Sequence, residues 1–109
     1  MIDRNAIASK LAELMGLPDG WDGYRAGPIA PDTARLVWRV LDTVCTDATP
    51  QPHLVPGSDG SVQIEWHDPV DIELQVMPDG SVSVLIDEEE TAASVGDIAA
   101  VANRLPWFA

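Results

Sequence analysis

A chain of 109 residues with 46% hydrophobic side chains is the usual size of one domain and can bury a core. Its 18 acidic residues against 6 basic ones give a formal net charge of -12, which repels nucleic acid and anionic membrane and favours basic protein surfaces. No apolar run approaches the ~20 residues of a membrane span, MIDRNAIASK lacks a signal-peptide hydrophobic region, and the lone Cys45 allows no internal disulfide, so a soluble cytoplasmic protein is expected.

Residues 3–15 predict a helix, because Ile7, Leu11, Leu14 and Met15 recur at spacings of three and four. Asp3 can cap its start, and Gly16 followed by Pro18 marks its stop. Residues 16–30, GLPDGWDGYRAGPIA, form a turn-rich loop whose glycines and prolines rule out a continuous helix or central strand. Trp21 and Tyr24 lie within it and are expected to tuck against the core, the alternative being that the loop displays them. A second helix is predicted from Pro31 to about Thr46. Pro31 suits the first turn, Asp32 complements the helix dipole, and Ala34, Val37, Trp38, Leu41, Val44 and Cys45 share one face.

The following TDATPQPHLVPGSDG reads as a loop holding a short edge strand at His53–Val55, confined to an edge by Pro52 and Pro56. Three alternating strands come next. Their apolar sets are Val62, Ile64 and Trp66, then Ile72, Leu74 and Val76, then Val82, Val84 and Ile86. Asp79-Gly80 is a hairpin signal between the second and third. The acidic run Asp87–Glu90 then reads as a solvated linker into a last helix, with Ser94 and Asp97 spaced as a capping box and Ile98, Val101, Ala102 and Leu105 as its stripe. The expected fold is one α+β domain over residues 1–109, in the order α-α-β(3–4)-α. An antiparallel meander of three to four strands is covered on its apolar face by helices.

Chemistry is sparse along the chain. Cys45 falls on the apolar face of the second helix and reads as a small buried hydrophobe. Gln63, Glu65 and His67 share one strand face, and simple hairpin pairing brings Asp71 and Glu73 beside them. Such carboxylates and an imidazole suit a divalent metal or acid-base work. No ligand spacing supports that, however, and a solvated sheet face is the plainer reading, so neither a catalytic residue nor a metal or other cofactor is assigned. GWDGYRAG lacks the GK[ST] ending of a phosphate-binding loop. There is also no basic stripe for direct nucleic-acid binding.

LPDGWDGYRAGPIAPD, residues 17–32, resembles the loop of a group of small uncharacterised bacterial and phage-encoded proteins, L-P-x-G-W-D-G-Y-G-A followed by prolines and a helix. SVQIEWHD and DIELQVMPDGSV resemble that group's strand segments. Together these cover about a third of the chain, with Arg25 where the group often has glycine. The resemblance implies a shared fold and a structural role for Trp21, Asp22, Gly23 and Tyr24; it implies no activity.

The charge pattern carries the functional expectation. From Val40 to Asn103 there is no Lys or Arg, while 13 acids fall there. A non-enzymatic inhibitor is expected, docking Glu65, Asp71, Glu73, Asp87, Glu88, Glu89 and Glu90 on a basic protein surface. The concrete form is a phage or mobile-element anti-defence (anti-CRISPR-like) protein that mimics phosphate charge and blocks a nucleic-acid-binding groove. One alternative is an antitoxin- or immunity-like partner of a basic toxin. Another is a small metal-dependent hydrolase using Glu65, His67 and Glu73.

Overall fold

The computed structural model describes residues 2–24, 26–67, 70–86, 89–94, 105 and 107, the stretch 89–94 through its backbone alone. Helix α1 runs from Arg4 to Met15. The Asp3 carboxylate accepts a hydrogen bond from the Ala6 N–H at 3.1 Å and so satisfies one of the orphan donors of the first turn. Ile7, Leu11 and Leu14 form its buried stripe, and the Gly16 N–H closes the last turn onto the Ala12 and Glu13 carbonyls.

Helix α2 spans Pro31–Val44 and buries Thr33, Ala34, Val37, Val40, Leu41 and Val44. It stops two residues short of the expected Thr46. Cys45 turns extended, and the hydroxyls beyond it capture the backbone: the Thr46 N–H donates to Thr49 Oγ1 at 2.6 Å, and the Ala48 N–H to Thr46 Oγ1 at 3.1 Å. Such local side-chain bonds compete with helix continuation.

Five strands follow: β1 His53–Pro56, β2 Val62–Trp66, β3 Ile72–Val76, β4 Ser81–Ile86 and β5 Glu89–Ser94. They form one sheet in sequence order with every neighbour antiparallel. The architecture is thus α+β with the helices first, as the sequence predicts. The strict inward-outward alternation of β2 and β3 turns Val62, Ile64, Trp66, Ile72, Leu74 and Val76 toward the helices. Each such side chain contributes about 1.5–3 kcal/mol by leaving water.

The meander continues one strand past the expected set. The acidic run does not lead into a helix: Glu89 and Glu90 open β5, and Ser94, expected as a helix cap, is its last residue. The helix predicted beyond it falls outside the described residues, apart from Leu105, which is buried in the core. Trp107 packs on Trp66 with ring centroids 4.8 Å apart, and its indole N–H donates to the Val44 carbonyl at 2.5 Å. The Trp66 indole N–H donates to the Pro50 carbonyl at 2.7 Å. The two indoles thereby fasten the chain end and the α2–β1 segment to one end of the core.

Among the described residues the glycines at positive φ are Gly20, Gly23, Gly60 and Gly80, and each follows an aspartate. In the β1–β2 and β3–β4 turns the aspartate (Asp59, Asp79) accepts from the N–H and hydroxyl of the serine two residues on (Ser61, Ser81). Among the described residues no helix is long and apolar enough to cross a membrane.

Candidate functional site

The face of the sheet turned away from the helices is built by the outward residues of the central strands. Gln63 and Glu65 come from β2, Glu73 and Gln75 from β3, and Ser83 and Leu85 from β4, all half-buried by one another. Antiparallel register sets Gln63 opposite Gln75 and Glu65 opposite Glu73. Two like charges therefore face each other directly across β2–β3, a pairing that destabilises a sheet. The level of that pair extends outward through His53 on β1 and, on the other side, Leu85 on β4 and Glu90 on β5. A shallow depression of about 200 Å3 lies over Gln63, Glu73, Gln75, Ser83 and Leu85.

His67 closes one end of this face. Its Nδ1 lies 3.1 Å from Asp71 Oδ1 and its Nε2 3.4 Å from Glu65 Oε2, while the His53 ring stacks beside it at 6.4 Å. The hydrogen bond to Asp71, aided by Glu65, raises the His67 pKa above the ordinary imidazole value. Glu65 is drawn in by this contact and its side chain is only 17% exposed.

Glu65, Asp71 and Glu73 of the expected acidic set thus share one surface. Glu89 and Glu90 sit in β5, opposite Ile86 and Leu85 in register, and Asp87 and Glu88 lie outside the described residues. The metal-dependent constellation does not assemble. Among the described residues no group of three or more His, Cys, Asp or Glu side chains could hold a metal ion. Sequence reading left His53 and Leu85 out of the surface. His53 carries no motif, and its place follows only from the β1–β2 register; Leu85 was signalled by its outward position in the alternation of β4.

The α1–α2 loop is the second feature. The Trp21 indole does not join the side chains packed on the core; it is half-buried within its own loop and donates to the Gly27 carbonyl at 2.9 Å. The Gly20 N–H donates to the Ala26 carbonyl at 2.6 Å, pinching the loop shut. Inside that ring Asp22 Oδ1 accepts from the N–H groups of Tyr24 (2.9 Å) and Ala26 (3.3 Å). Gly20 and Gly23, at φ of 75° and 84°, supply the left-handed turns this path needs. Tyr24 departs from expectation. Its side chain points to solvent with 86% of its surface exposed, because the turn held by Asp22 and Gly23 swings it outward while Trp21 takes the inner position. Ala26 and Ile29 are the loop residues that reach the interior.

Elsewhere, burial pushes the Cys45 thiol up to about 11, so it stays protonated and unreactive near neutral pH. Comparison of the chain with protein families, with curated proteins and with solved structures finds no match.

Proposed function

We propose that this chain is a non-enzymatic binding protein that docks its acidic outer sheet face on a basic surface of a nucleic-acid-binding protein or complex and denies that surface to nucleic acid. The observation that carries the reading is the opposed pair Glu65 and Glu73. A sheet that keeps two carboxylates face to face pays in stability, and a cationic partner is the surface that relieves them. No Lys or Arg occurs anywhere between residues 40 and 103 to offset that field. Complementary charge of this kind mainly speeds encounter. The setting in keeping with this reading, and with the loop's resemblance to phage-encoded proteins, is the cytoplasm of a host cell, with a defence complex as target.

The test is competition. A partner isolated on the immobilised protein should lose nucleic acid as this chain is added, and association should slow as salt rises. Glu65→Lys with Glu73→Lys should lower the association rate more than it raises dissociation. A ternary complex in which the partner keeps nucleic acid at full affinity would rule the blocking mechanism out.

A further inference from the structure

Tyr24 is the large apolar side chain most exposed among the described residues, at 86% against 37% for Met15 and Val55. Its loop is not loose. The Gly20–Ala26 backbone bond, the Asp22 carboxylate and the Trp21 indole hold the segment at three points. A ring displayed from a braced loop loses little conformational freedom on contact, which is what makes tyrosine effective at binding surfaces. The ring also borders a concavity. Asp22, Tyr24, Ala26 and Ser58, the last from the β1–β2 turn, line a notch of about 320 Å3. One wall is aromatic, one carries a carboxylate, and Ala26 keeps the notch open because its side chain is small and buried.

We propose that this notch receives an arginine side chain of a protein partner. A guanidinium is planar and weakly hydrated, so it can stack on the Tyr24 ring while its N–H groups face the Asp22 carboxylate. A lysine ammonium is compact and strongly hydrated and matches the ring less well. An anionic ligand such as a phosphate is disfavoured by Asp22, the charged residue among those lining the notch. The proposal shares with the sheet-face reading the premise of a cationic protein partner and is otherwise independent of it.

The experiment titrates the folded protein with a short oligo-arginine peptide and with an oligo-lysine peptide of equal length, followed by amide and tyrosine-ring chemical shifts. Oligo-arginine should bind more tightly, by at most about two- to fivefold, the full worth of an exposed cation–ring contact. Its shifts should centre on Tyr24, Ala26 and Ser58. Tyr24→Leu, which keeps an apolar side chain at an exposed position, should abolish the preference, and Tyr24→Phe should retain it. Equal binding of the two peptides, or a preference that survives Tyr24→Leu, overturns the proposal. A Tyr24-dependent preference that Glu65→Gln and Glu73→Gln leave unchanged supports the notch and leaves the sheet-face reading to the competition experiment, so the two fail separately.

Discussion

Trp21 and Tyr24 are three residues apart in one glycine-rich loop, and the sequence offers no difference between them: both are aromatics that a turn-rich segment can bury or display. Their fates are decided by Asp22, whose carboxylate gathers the Tyr24 and Ala26 N–H groups and turns the chain between them. Trp21 lies half-buried within its own loop, so Trp21→Ala should lose part of a ring contact and one hydrogen bond, about 1–2 kcal/mol. In a domain of this size that is a melting point lower by about 4 °C or more; an unchanged melting point would show that the loop closes without its indole. His67 gives a pH signature. Its pKa is raised in the folded state, chiefly by Asp71, so the stability it supplies is complete below the unfolded value of about 6.5. That stability is lost as pH rises through the higher folded value. His67→Gln should therefore lower the melting point more at pH 5.5 than at pH 8.5, about one unit below and two above the free imidazole value. A pH-independent effect would mean the two carboxylates do not hold the ring.

At the scale of elements, periodicity made most of the chain legible. The stripe Ile7, Leu11 and Leu14 and the alternation of Val62, Ile64 and Trp66 each place their element within a residue or two, since the same spacing that fits the core fits the pattern. β5 escaped because EETAAS has no alternation and is poor in strand-forming side chains, so its conformation comes from pairing with β4. The acidic run misled for the same reason: charge marks solvation, and an edge strand is a solvated place where charge also blocks unwanted pairing. The β2–β3 register yields a separate expectation. Glu73→Lys converts the like pair with Glu65 into an opposite pair and should stabilise the fold by about 0.5–1 kcal/mol in urea unfolding. A loss of stability would show that Glu73 makes a favourable contact which the register alone does not reveal.

Over the whole molecule the charge is lopsided: 18 acids oppose 6 Lys and Arg, and among the described residues the Lys and Arg ion pairs Arg4–Asp42, Lys10–Glu13 and Arg35–Asp32 all involve α1 or α2, leaving the sheet without Lys or Arg. Self-repulsion of this size works against the compact state and is screened by salt. Raising ionic strength from about 0.01 M to about 0.15 M shortens the screening length from ~30 Å to ~8 Å, and the melting point should rise with it. A fall would mean that the surface ion pairs outweigh the repulsion. The one-sided charge was readable from the sequence, but the surface on which Glu65, Asp71 and Glu73 meet needed the register, and the notch beside Tyr24 needed the contact between a loop and a turn some thirty residues on.

The aspartate before each positive-φ glycine also sets how the protein ages. At Asp–Gly the glycine nitrogen can attack the aspartyl carbon and close a succinimide, which reopens largely as isoaspartate; glycine hinders this least, and a neutral carboxyl reacts best. Folding restrains all four sites, three of them through the carboxylate. Asp22, Asp59 and Asp79 have a carboxylate oxygen held by N–H groups further along the turn, and the serine hydrogen bonds keep Asp59 and Asp79 ionised to lower pH than usual. At Asp19 the restraint falls on the attacking nitrogen instead, since the Gly20 N–H is held by the Ala26 carbonyl at 2.6 Å. Peptide mapping after prolonged warm storage should find isoaspartate at all four positions in urea and far less of it at any of them in the folded protein. The turns that shape this molecule are therefore also its slow chemical clock, one that runs only where the fold lets go.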